Sequence, residues 1–120
     1  MNKEIIEKWL KRIPKTERNV PYFVIDGELV TPNETIKALS ENESIIIENP
    51  IDIDDLIVRQ MKARLAGMPE DMKKNMKFLS DTKSYTVEET YNEVFNKTEY
   101  GIQLLGSYKK VYLDIISRLV

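Results

Sequence analysis

Four carboxylates, Glu48, Asp52, Asp54 and Asp55, crowd into one short stretch of this chain. Closely spaced carboxylates at a turn are what Mg²⁺ or Ca²⁺ requires, because these ions take hard oxygen ligands. The spacing departs from a calcium-binding loop, which needs a glycine for its sharp bend. A second reading accounts for all three aspartates: acidic side chains in the first turn of a helix accept from its free N–H groups and face the positive end of its dipole. Capping is therefore the expectation for Asp52, Asp54 and Asp55, and a metal site or a carboxylate-based enzyme is the alternative. No cofactor is expected.

The other chemically distinctive group lies in residues 56–83. Seven Lys/Arg stand against three Asp/Glu there, and four of the five methionines, Met61, Met68, Met72 and Met76, fall in the same segment. Helical spacing puts Ile57, Met61, Leu65 and Met68 on one face, and Met72, Met76 and Leu79 on the next. Packed together, these side chains are core filler. Left partly open, a methionine-lined groove rimmed by cations suits an amphipathic acidic helix, because unbranched thioethers repack around varied partners. The residues expected to make that contact are Arg59, Lys62, Arg64, Met68, Met72, Lys73, Lys74, Met76 and Lys77.

The same cations, joined by Lys8, Lys11, Arg12, Lys15 and Arg18 of the N-terminal segment, also suit a nucleic-acid backbone. No aromatic ladder lies among them to stack single-stranded bases. Ala63, Gly67 and Met68 have the spacing of a helix-turn-helix bend. Lys62 and Lys73 stand where that motif needs apolar packing, however, and Glu70 and Asp71 would face phosphate.

Charge is distributed in blocks along the whole chain. Residues 1–20 hold six Lys/Arg against three acids, residues 21–55 hold only Lys37 against nine acids, and residues 84–120 are nearly balanced. The net charge of −2 thus conceals a two-signed sequence able to steer a charged partner or a second copy of the chain. Cys and His are both absent. Disulfides, thiolate nucleophiles, Cys-ligated zinc and imidazole proton transfer are excluded with them. Fourteen Ile with abundant Lys and Glu lean towards a thermophile composition, against which eight Asn and five Met pull. No apolar run has the length of a signal peptide or a membrane span, so a cytoplasmic protein is expected.

The positioning elements are legible from capping and turn chemistry. Residues 2–12 read as an amphipathic helix with Ile5, Ile6, Trp9 and Leu10 on one face, ended by Pro14. Asp26-Gly27 between two apolar runs predicts a hairpin over 20–31. Ile45-Ile46-Ile47 predicts a third strand at 44–48, joining that hairpin. Thr31-Pro32-Asn33-Glu34 and Thr86-Val87-Glu88-Glu89 are capping boxes, and Asp52 caps a further helix with Ile51 stapled onto Leu56. Helices are predicted at about 32–40, 53–66, 69–79, 87–97 and 100–119, with 80–84 as a polar loop. The last helix carries a wide stripe through Tyr100, Leu104, Tyr108, Val111, Ile115 and Leu119, broadened by Ile102, Leu105, Tyr112 and Ile116. Such a stripe is enclosed by neighbours or by a second subunit.

The run from Val20-Pro21 through Asp26-Gly27 to Ala38-Leu39 resembles a short piece of the thioredoxin and glutaredoxin family, in which Val-Pro precedes a strand, a glycine turn, a second strand and a helix. It covers about 20 of the 120 residues. The redox chemistry of that family needs its Cys motif, which this chain lacks.

The expectation is one mostly helical α+β domain over residues 1–120, with a small antiparallel sheet packed against five to six helices. Its expected function is non-catalytic: a regulatory module contacting an acidic protein partner through the basic, methionine-rich face of 56–83. A nucleic-acid-binding accessory protein using that face is one alternative. A homo-oligomer, such as a homodimer paired through residues 100–119, is another.

Overall fold

The computed structural model describes residues 3–80 and 83–119. Helix α1, Lys3–Arg12, turns Ile6 and Leu10 inward. Its Trp9 packs edge-on against Tyr22 and Phe23, with ring centroids 5.2 and 5.7 Å apart. A single 3₁₀ turn, Lys15–Glu17, leads from Pro14 towards strand β1, Phe23–Ile25. β1 pairs antiparallel with β2, Glu28–Val30, placing Phe23 opposite Val30 and Ile25 opposite Glu28. Asp26 and Gly27 make the turn at φ 52° and 80°, the two positive values that a tight two-residue hairpin demands and that glycine meets without strain.

Helix α2, Pro32–Glu41, starts at a reciprocal cap: the Glu34 N–H donates to Thr31 Oγ1 at 3.2 Å, and the Thr31 N–H donates to Glu34 Oε1 at 3.0 Å. Helix α3, Ile53–Gly67, is capped by Asp52, whose Oδ1 accepts from the Asp55 N–H at 3.0 Å. Helix α4, Glu70–Asn75, is followed by an antiparallel hairpin, β3 (Lys77–Ser80) with β4 (Lys83–Thr86). The second capping box, Thr86 with Glu89, opens α5, Val87–Phe95, and α6 runs over Glu99–Leu119. The fold is a mostly helical α+β architecture, 65% helical.

Four local expectations are corrected. The stretch 69–79 is not one helix. It stops at Asn75, and Lys77–Ser80 pairs with β4 so that Phe78 faces Tyr85. Lys-Phe-Leu-Ser opposite Lys-Ser-Tyr-Thr suits a pleated pair better than a helical turn, a preference that local periodicity does not carry. The predicted loop 80–84 is mainly part of this hairpin, and its residues Asp81 and Thr82 lie outside the described residues. Residues 44–48 form no regular third strand, and only Glu48 bridges to Val24, with both N–H···O bonds at 2.9 Å. Upstream, Asn42 takes the Ser44 and Ile45 N–H groups into a turn. Ile51 does not staple onto Leu56, since it stands fully exposed.

α3 is the central element. Leu56, Ile57 and Met61 are completely buried in a core shared with Ile6, Leu10, Phe23 and Leu119. α6 crosses α3, and Lys109 pairs with Asp54 at 3.0 Å. Two side chains tie both helices to the chain entering β1: Gln60 Nε2 donates to the Pro21 carbonyl at 2.8 Å, and the Tyr112 hydroxyl donates to the Tyr22 carbonyl at 2.7 Å. Two backbone acceptors that no helix or strand pairs are satisfied in this way. α5 and α6 approach so closely that a Cβ at Gly101 would lie 1.9 Å from the Glu93 carbonyl oxygen. On α6, Tyr112, Ile116 and Leu119 are buried, while Ile102 and Val111 lie exposed on either flank of that stripe. No helix among the described residues is long and apolar enough to cross a membrane.

Candidate binding groove

α3 ends at Gly67 because Pro69 drives the residue before it out of helical conformation, and Met68 sits extended at φ −90°, ψ 136°. The chain swings away and restarts as α4, so Met68 and Met72 face one cleft across this break. The opposite wall is the segment around the 3₁₀ turn. Between them lies a groove of about 500 Å³. Val20, Ala63, Met68, Pro69 and Met72 supply its apolar lining, and Lys15, Thr16 and Asn19 its polar rim. Gly67 adds no side chain, and the space where its Cβ would stand is open.

The groove is held by an ion pair shared between its two walls. Arg64 Nε donates to Glu17 Oε2 at 3.0 Å, and Arg64 Nη2 donates to Glu17 Oε1 at 2.8 Å. The Tyr22 hydroxyl donates to the same Oε1 at 2.7 Å. Burial alone would push the Glu17 carboxyl up, but hydrogen bonds from Arg64 and Tyr22 outweigh it and hold the group below its usual 4.5. Burial raises the Tyr22 hydroxyl, and the adjoining Glu17 carboxylate raises it further. The guanidinium of Arg64 also lies 6.0 Å from the centre of the Tyr108 ring. Behind this pair a smaller cavity of about 150 Å³ is lined by Tyr22, Gln60, Tyr108 and Tyr112.

Because Glu17 is neutralised internally, it projects little negative charge into the groove. Lys15 makes no ion pair among the described residues and is an exposed cation of the rim. The groove is thus an apolar cleft with an exposed cation on its rim.

The structure brings Arg64, Met68 and Met72 of the predicted contact residues into this groove. Lys73 lies near it, with its side chain 18% exposed and its ammonium 3.4 Å from Glu70. Lys74 also reaches Glu70, at 4.0 Å, and Met76 is half-exposed just beyond α4. The others do not share that surface. Arg59 pairs with Asp55 one turn back at 2.7 Å, Lys62 sits 5.6 Å from the Phe95 ring, and Lys77 opens β3. The single basic helical face expected over 56–83 is thus divided among a helix end, a short helix and a strand. Met61 is core, and the second helix of a helix-turn-helix is only six residues long.

The aspartates are each engaged separately: Asp52 caps α3, Asp54 pairs with Lys109, and Asp55 pairs with Arg59. Among the described residues no group of three His, Cys, Asp or Glu is placed to hold a metal ion. Sequence reasoning named Lys15 only as one of the N-terminal cations suited to a nucleic-acid backbone, and it missed Thr16, Asn19 and Val20 of the far wall, which lies more than 40 positions upstream of the methionines. A proline followed by a charged, non-periodic stretch was its only local signal. It also missed the hairpin, on which Phe78 is 40% and Leu79 84% exposed. No family model, curated protein or solved structure matches the chain, so the groove stands on its own geometry.

Proposed function

We propose that this chain is a non-catalytic binding module that takes an apolar side chain from an acidic protein segment into the Met68–Met72 groove. The observation that carries this reading is the groove itself, with two flexible methionines on one wall and the unpaired Lys15 on the other. Methionine adapts its shape to varied apolar partners, and a cation on the rim selects for an acidic one. Pairing of Arg59, Arg64, Lys73 and Lys74 with carboxylates leaves a depleted cationic surface, which favours an acidic protein over a nucleic-acid backbone.

Fluorescence anisotropy tests this with a labelled acidic peptide of unrelated sequence bearing a central isoleucine. Saturable binding that weakens with salt is expected, reduced about tenfold by Met72→Asp or by Lys15→Glu, a change of about 1.4 kcal/mol. Absence of binding, or binding indifferent to both substitutions, overturns the proposal. Duplex DNA is the control, and DNA binding insensitive to Met72→Asp would restore the nucleic-acid alternative.

A further inference from the structure

Ile51 is the most exposed large apolar side chain among the described residues, at 101%, and Ile46 on the same loop is 71% exposed. Both lie between α2 and α3, in the block where Glu43, Glu48 and Asp52 are also exposed. An isoleucine standing clear of the surface among carboxylates is the ligand chemistry to which the Met68–Met72 groove corresponds. We infer that the acidic partner is a second copy of this chain, whose Ile51 seats between Met68 and Met72 while Glu48 and Asp52 approach Lys15. This inference rests on the binding-groove reading above.

The placement of the two surfaces decides how copies associate. Asp52 caps the first turn of α3, and Gly67 closes its last. Fifteen residues at 1.5 Å each separate the ends by about 22 Å, so a copy cannot fill its own groove. The contact is head-to-tail, leaving a free groove at one end and a free Ile51 at the other, and it generates rings or open chains of copies. One side chain in a small groove makes a weak contact, and its charge component is screened by salt.

Analytical ultracentrifugation of the full chain provides the test, using Ile51→Asp and Met72→Asp alone and mixed. The wild type is expected to gain mass with concentration at low salt and to return towards monomer at high salt. Each variant alone is expected to stay monomeric. Their equimolar mixture forms a 1:1 dimer, because Ile51→Asp keeps the groove and Met72→Asp keeps the isoleucine. A labelled peptide of residues 43–52 is titrated in parallel, and circular dichroism confirms that each variant is folded. Should Met72→Asp fail to fold, Lys15→Glu takes its place. Wild-type protein that binds acidic peptides yet remains monomeric overturns self-association and leaves the groove reading intact. Failure of every acidic peptide to bind overturns both. Association that persists in both single variants overturns this inference and assigns the interface to another surface.

Discussion

Arg64 and Glu17, 47 positions apart in sequence, meet in a two-point ion pair that joins the last turns of α3 to the 3₁₀ turn. Their side chains are 19% and 23% exposed, so water screens the pair only partly. The geometry matters beyond stability, since the same pair sets the separation of the groove's two walls.

Removing one partner leaves the other charge largely buried and unmatched, which is the expensive way to break an ion pair. Arg64→Met or Glu17→Gln is expected to destabilise the fold by about 2 kcal/mol, discounted for partial exposure. The double substitution Glu17→Met with Arg64→Met is expected to lose clearly less than the sum of its single substitutions. Urea denaturation of the four proteins measures the coupling, and strict additivity would show that the pair contributes no specific energy.

Stability is expected to depend on pH at both extremes. Glu17 is held below its usual 4.5, so the unfolded chain binds more protons in that range and stability rises with pH through it. The contribution is complete above the unfolded value and disappears as pH falls through the folded one. Denaturation midpoints measured from about pH 6 to about pH 3 should therefore fall less steeply for Glu17→Gln than for the wild type. On the alkaline side, burial raises the hydroxyls of Tyr22, Tyr91 and Tyr112, which are further raised by Glu17, Tyr108 and Tyr22 respectively. Their contribution is complete below the usual 10.0 and is lost as pH rises beyond it. Phenolate absorbance of these groups should appear together with unfolding, not ahead of it.

Two glycines of α6 are expected to respond in opposite directions. A Cβ at Gly101 would meet the Glu93 backbone oxygen at 1.9 Å, so Gly101→Ala must push α5 from α6 and should destabilise by about 2 kcal/mol or more. At Gly106 nothing lies within 4 Å, and Gly106→Ala should stabilise by about 0.5–1 kcal/mol through helix propensity. Thermal unfolding followed by circular dichroism distinguishes the two directly.

Thr31→Ala and Thr86→Ala each remove the hydroxyl that accepts from the third helical N–H, at 3.2 Å in α2 and 3.1 Å in α5. Each should destabilise by about 1 kcal/mol. The caps belong to different helices and share no partner in their hydrogen bonds, so the double variant should lose about the sum. A marked departure from additivity would show that the two helix starts are coupled through the fold.

Much of the secondary structure was legible in the chain because it is specified by neighbours. Thr31 with Glu34, Thr86 with Glu89, Asp52 with Asp55, and the Asp26-Gly27 turn all act over a few residues, and the elements begin or reverse where their chemistry requires. The methionines were legible as a cluster for the same reason. What they line was not. Met61 and Met68 share one face by their spacing, yet the first is core and the second borders open space, because that difference depends on whether another segment covers each of them. The far wall at Lys15–Val20, the Arg64–Glu17 pair across 47 positions, and the β3–β4 pairing are all set by which surfaces meet after folding. Capping and turn preferences are local free energies and are written in adjacent residues. A groove exists only between segments, and its shape is decided by how α3, α4 and the 3₁₀ turn pack.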